Sequence, residues 1–155
     1  ERKRLFGLGP LDDSRSALGQ GLYTPEVSAR TYQRLLELAD GLLAAGHPVL
    51  VDATFQKCDH RQPFRDLAAR HGVPFILLDC SADPDTLRER VAARRARGDD
   101  AAEADVAVLE RQLCYDEPPG VDEQPLRTSS DGDLKWLRAA IQQAAPAGPG
   151  IIPGP

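Results

Sequence analysis

The chain contains no methionine, and aromatic residues make up only 5% of it. Its core must therefore be built from Leu, Val, Ile and Ala. Cysteine is scarce too: Cys58, Cys80 and Cys114 are odd in number and scattered. That usage speaks against a disulfide framework and fits a reducing, cytoplasmic compartment. Cys58, Asp59 and His60 are adjacent but have no second ligand pair, so a polar helix start accounts for them better than a zinc corner. No apolar run approaches the roughly 18 residues that span a bilayer. The charged start Glu1, Arg2, Lys3, Arg4 is not followed by the apolar stretch of a signal peptide. A membrane partner is not expected. The net charge of -5 offers no general attraction for nucleic acid, which makes such a partner disfavoured. Three motifs are also missing: the G-x-x-x-x-G-K-[ST] phosphate loop, the G-x-S-x-G elbow and the G-x-G-x-x-G fingerprint.

What is present alternates between helical and strand patterns. Thr24, Pro25 and Glu26 form a helix start, with a capping hydroxyl, a proline at the first position and an acid in the first turn. Tyr32, Leu35, Leu36, Ala39, Leu42 and Leu43 follow at helical spacing, and Gly46 stops the helix. The run Val49, Leu50, Val51, Asp52 reads as a buried parallel strand ending in an acid. A second helix over 59–71 turns Phe64, Leu67 and Ala68 inward and is capped by Gly72. A second apolar strand spans 74–79, then a helix with Leu87 and Val91 inward, then a helix over 103–114. A short strand follows at 125–129, and an amphipathic helix capped by Asp131 carries Leu134, Leu137 and Ile141. The expected fold class is α/β, a parallel sheet with helices on both faces. Residues 1–143 form one domain and residues 144–155, rich in Pro and Gly, a disordered tail. Lacking an initiating Met, the chain reads as a piece of a longer protein or a processed chain.

Two clusters suggest chemistry. Asp52, at the C-terminal edge of a parallel strand, lies where ligands bind in open α/β sheets, and a carboxylate there can hold Mg²⁺ beside phosphates. A strand-end Asp can equally cap the following turn. Thr54 could share its crevice, and Lys57 and Arg61 could meet an anion or form a solvated helix face. The second cluster is Arg88, Arg90, Arg94, Arg95 and Arg97, with Arg90 and Arg94 four apart on one helix face. Guanidinium groups match phosphate oxygens and stabilise phosphoryl transfer. An Arg-rich helix can also be a solvated face, with Glu89, Asp99, Asp100 and Glu103 as partners.

Together the segments resemble a known family. The stretch from Gly46 through Asp52, Ala53, Thr54 and Phe55, followed by Arg61, Leu67 and Ala68, looks like the central segment of AAA_33-type P-loop kinases. Leu78, Asp79, Cys80, Ser81 and Ala82 look like the next strand, the helix carrying Leu87 to Arg94 like the lid helix, and 98–105 like the lid loop. Leu22, Tyr23, Thr24, Pro25, Glu26 and Tyr32 also fit the pattern. The likeness covers about residues 1–140 and is to the ATP-binding, kinase-like half of bacterial proteins that fuse an aminoglycoside-phosphotransferase-like domain to such a kinase.

The resemblance implies an adenylate-kinase-like P-loop architecture lacking its first strands, with ATP and Mg²⁺ as cofactors and a small-molecule phosphate acceptor. By it, Asp52 is the Mg²⁺-associated acid, and Arg90 and Arg94 are lid arginines that reach the ATP phosphates, with Arg97 beside them. Thr54, Phe55 and Arg61 flank the acceptor pocket. Arg2, Arg4 and Tyr23 line the acceptor side, and Ser129 and Ser130 fall near the adenine-proximal loop after the last strand. The family's phosphate loop and first strand are expected upstream of residue 1. Without that central strand, the strands at 49–52 and 74–79 lack a neighbour, and each unpaired buried backbone group costs about 1–3 kcal/mol. The leading expectation is a truncated ATP-dependent small-molecule kinase. A non-catalytic nucleotide-sensing or partner-binding module, and an α/β domain of unrelated activity such as a hydrolase or a methyltransferase-like fold, are the alternatives.

Overall fold

The computed structural model describes residues 1–9, 12, 24–97, 106–129 and 134–144. Helix α1, Pro25–Ala44, begins as its sequence requires: Thr24 is extended, and its Oγ1 accepts the Val27 N–H at 3.3 Å. It closes on Gly46, whose φ of 80° turns the Gly46 and His47 amides back to the Leu43 and Leu42 carbonyls at 2.9 and 3.0 Å. Helix α2, Cys58–His71, ends the same way on Gly72, with φ 63° and the Val73 N–H on the Ala68 carbonyl at 3.0 Å. The two helices pack together. Tyr32 and Ala39 of α1 meet Phe64 and Leu67 of α2 in the core, as their helical spacing predicts. Leu42, expected inward, is 47% exposed because it lies at the edge of the apolar stripe.

The expected strand at 49–52 is not a strand. These residues are extended, and Val49, Val51 and Ala53 pack against the α1–α2 core. Their neighbours point away: Leu50 is 86% exposed, and Asp52 and Thr54 are exposed on the same side. The alternation has the period of two of a half-buried strand, but among the described residues no ladder forms beside it. A strand exists only with a hydrogen-bonding neighbour, and an apolar run does not say whether one is present.

The sheet that does form has two parallel strands, β1 (Leu78–Ser81) and β2 (Leu126–Ser129), in register from Leu78 opposite Leu126 to Ser81 opposite Ser129. Strand β1 therefore starts four residues later than the expected 74–79. The Leu126 N–H on the Leu77 carbonyl at 2.8 Å marks where the ladder begins, so its partner sets its bounds. The expected short strand at 125–129 is β2. Parallel strands need a crossover, and here helices α3 (Pro84–Arg97) and α4 (Val106–Tyr115) supply it, packed on each other. Arg88 joins them, with Nε 2.6 Å from Glu110 Oε1 and Nη1 2.6 Å from Asp85 Oδ1. Helix α5 is Leu134–Ala144. The expected cap Asp131, the lid loop at 98–105 and all but the first residue of the expected tail lie outside the described residues. None of the described helices is long and apolar enough to cross a membrane.

Candidate functional site

The site is built where the extended segment meets the start of α2. Asp52 and Thr54 share its outer side, and among the described residues Asp52 has no hydrogen-bond or ion-pair partner. Phe55 then turns sharply, with φ 45°, a left-handed conformation that is strained for a residue with a side chain. Tyr32 of α1 holds that turn: its Oη accepts the Phe55 N–H at 3.0 Å and lies 3.1 Å from Thr54 Oγ1. The turn directs the Phe55 ring inward, 5.4 Å from the Tyr32 ring and edge-on to Phe64 at 5.2 Å.

Arg61 lies beneath the turn and is 3% exposed. Its Nε and Nη2 grip the Glu123 carboxylate in a fork at 2.6 and 2.8 Å, and Nη1 donates to the Phe55 and Glu117 carbonyls at 2.8 and 2.9 Å. Four of its five N–H donors are therefore engaged within the fold. The Arg61 hydrogen bond holds the Glu123 carboxyl below the usual carboxylate range, and the same bond raises the Arg61 guanidinium above its own. Glu117 adds a second tie, its Oε2 accepting the Cys58 N–H at 3.0 Å at the N-terminus of α2. Together these contacts fasten the segment before β2 to the start of α2. His60 stacks on Tyr32 with ring centroids 4.0 Å apart, and its Nδ1 is buried without a partner among the described residues. Burial, reinforced by Lys57, pushes the imidazole below its ordinary value, so the ring is neutral near pH 7.

The structure thus brings Thr54, Phe55 and Arg61 together at one turn, with Asp52 two residues before Thr54 on the extended segment. Arg90, Arg94 and Arg97 all lie on α3, with Arg97 its last residue, and none of them pairs with Asp52. Arg2 precedes and Arg4 opens a single 3-10 turn, Arg4–Phe6, which Arg30 of α1 covers with its guanidinium 5.6 Å from the Phe6 ring centre. Ser129 is the last residue of β2, opposite Ser81. Tyr23 and Ser130 lie outside the described residues. A concavity between α3 and α4 is lined by Val91, Ala92, Arg95, Ala96, Val106 and Ala107, so of the arginine cluster Arg95 borders it.

Sequence reasoning missed Tyr32, Glu117 and Glu123 as parts of this site. Tyr32 reads as core by its spacing, although a buried phenol normally finds a partner for its hydroxyl. Arg61 gave the clearest warning, since it shares the inward stripe of Phe64, Leu67 and Ala68, where a charge needs a buried counter-charge.

A lone exposed carboxylate fits Mg²⁺, which is bound by one or two protein carboxylates and otherwise by water and phosphate oxygens. Among the described residues no group of three His, Cys, Asp or Glu side chains is placed to hold a metal without such help. The chain's sequence supplies no Gly-rich lysine loop for the phosphates themselves.

Uncharacterized protein Rv2004c of Mycobacterium tuberculosis (strain H37Rv) and uncharacterized protein Mb2027c of Mycobacterium bovis are each 33% identical to the chain over 142 residues. The alignment takes in 90% of this chain and 28% of theirs, so the chain spans little more than a quarter of the curated relatives it matches. No solved structure matches it. Residues 1–119 match the AAA_33 family, an AAA domain, and the chain accordingly belongs to that P-loop NTPase-like family of nucleotide-binding, kinase-like domains.

Proposed function

We propose that the protein containing this chain is an ATP-dependent small-molecule kinase that moves a phosphoryl group from ATP·Mg²⁺ to a hydroxyl acceptor. The observation that carries the reading is Asp52: a carboxylate without a partner among the described residues, exposed beside Thr54 on the outer side of an extended segment seated on the α1–α2 core. ATP·Mg²⁺, when bound, supplies the transferable group and the divalent charge. Asp52 anchors the metal. Arg90 and Arg94, with Arg97 nearby, offset phosphate charge from α3. Thr54 and the Phe55 turn face the acceptor, with Arg2, Arg4 and Tyr23 on the acceptor side, and Ser129 and Ser130 lie toward the base. Arg61, with four of its donors on Glu123 and two carbonyls, holds the loop in shape.

In this reading the phosphate loop, and a strand lying beside residues 49–52, come from outside these residues. They complete a parallel sheet with helices on both faces in an adenylate-kinase-like arrangement. The greater length of the relatives supports that. A cytoplasmic location and a fused aminoglycoside-phosphotransferase-like domain belong to the same proposal. The second reading, a non-catalytic nucleotide-sensing or partner-binding module, is favoured by the missing G-x-x-x-x-G-K-[ST] motif.

The test is an acceptor screen on the full-length protein with ATP and Mg²⁺, offering sugars, aminoglycosides, nucleosides and 5′-hydroxyl oligonucleotides, with ADP and phosphorylated product measured together. Acceptor-dependent ADP release supports the kinase. Nucleotide binding without turnover supports the module, and the absence of both contradicts the two readings.

A further inference from the structure

Tyr32 is 9% exposed, and its ring is fixed by its stack on His60 and its contact with Phe55. The freedom left to a phenol so held is the direction of its proton. Its oxygen accepts the Phe55 N–H, and the 3.1 Å contact with Thr54 Oγ1 holds one further proton, given by one hydroxyl to the other. If Thr54 donated inward, the phenolic proton would be left buried with no acceptor among the described residues, which is costly. If Tyr32 donates to Thr54, the proton left over belongs to Thr54, whose side chain is exposed on the same side as Asp52. The second arrangement gives both the Tyr32 hydroxyl and the Phe55 amide a partner.

We infer that Tyr32 is a positioning residue whose hydroxyl fixes Thr54 as an outward hydrogen-bond donor, and that the donor is set for an anionic phosphoryl oxygen beside the Asp52 carboxylate. This rests on the kinase reading of Asp52. The chemistry follows from the charges: a carboxylate and a bare hydroxyl proton on one face suit a metal-bound oxyanion, the carboxylate taking the metal and the hydroxyl the oxygen. The left-handed Phe55 is part of the same device, because the Tyr32 bond to its amide holds the turn that places Thr54.

The experiment uses the full-length protein and two substitutions that keep side-chain volume, Tyr32→Phe and Thr54→Val, with Thr54→Ser as the conservative control. Two quantities are read: amide hydrogen exchange at Phe55, and ATP turnover with Mg²⁺. Tyr32→Phe is expected to speed exchange at Phe55 by about tenfold while leaving Leu67 unchanged. It is also expected to lower kcat by about tenfold with KM for ATP within about twofold. Thr54→Val should show the same kcat loss, Thr54→Ser should restore most of it, and the Tyr32→Phe/Thr54→Val pair should lose no more than Thr54→Val alone. Unchanged exchange at Phe55 overturns the inference, and so do losses that multiply in the double variant. A wild type that turns over no ATP overturns the ligand assignment and the kinase reading together, whereas an active wild type with an equally active Tyr32→Phe variant overturns the role of Tyr32 alone.

Discussion

Replacing Arg61 with methionine removes a guanidinium that makes four hydrogen bonds of 2.6–2.9 Å. Methionine fills most of the space but leaves the Glu123 carboxylate, 10% exposed, with the Gly120 N–H at 3.0 Å as its remaining partner. Breaking a buried ion pair from one side costs about 3–5 kcal/mol. The Phe55 carbonyl also loses its donor, which adds about 1 kcal/mol, whereas Glu117 lies at the exposed surface and its carbonyl can turn to water. The expected loss is about 5 kcal/mol, a large share of the roughly 5–15 kcal/mol that holds a domain together. Urea unfolding followed by far-UV circular dichroism reads it as a midpoint lowered by about 2.5 M, for a slope of about 2 kcal/mol per M. The matched variant Arg61→Met/Glu123→Leu removes both charges, so it should recover to within about 1 kcal/mol of wild type. A single-variant loss under about 1 kcal/mol, the range of exposed pairs, would refute the reasoning. So would a double variant as unstable as the sum of its parts.

Three further outcomes follow from the same geometry. The folded state disfavours protonation of His60, so the stability it contributes is fully present above the ordinary value of 6.5 and is lost as pH falls through the lower folded value; His60→Gln should flatten that part of the stability–pH curve, and an unchanged slope would contradict the assignment. Gly72→Ala should cost about 1–2 kcal/mol from backbone strain alone, since φ is +63° and no atom lies within 4 Å of the added carbon; an unchanged urea midpoint would contradict it. Arg94→Ala in the full-length protein should lower kcat for ATP turnover by about a hundredfold if α3 meets the phosphates, and a change only in KM for the acceptor would place that helix elsewhere.

Much of the helical framework was legible in the sequence, because both ends of α1 and the C-terminus of α2 are written in local signals. Thr24, Pro25, Gly46 and Gly72 each act within a few residues of where they stand. The strands were less legible, since their bounds depend on partners far along the chain. Residues 78–81 become a strand because 126–129 lie beside them, whereas the more apolar 49–52 have no such neighbour among the described residues. The site divides in the same way. Asp52 and Thr54 were singled out from their place after an apolar run, and the structure leaves both exposed. The Arg61–Glu123 pair joins residues 62 apart, and no spacing rule reaches that far. Arg61 and Phe55 were expected to flank an acceptor, yet the structure turns both inward, one into an ion pair and the other into an aromatic cluster. Their contribution to the proposed site is the shape of the loop that presents Thr54.

The most direct test of the account is the Mg²⁺ dependence of ATP turnover in the full-length protein, compared with its Asp52→Asn variant. If Asp52 anchors the metal, the variant loses turnover by at least about a hundredfold and requires more Mg²⁺ for what remains. A variant with wild-type turnover and an unshifted Mg²⁺ requirement would contradict the central claim.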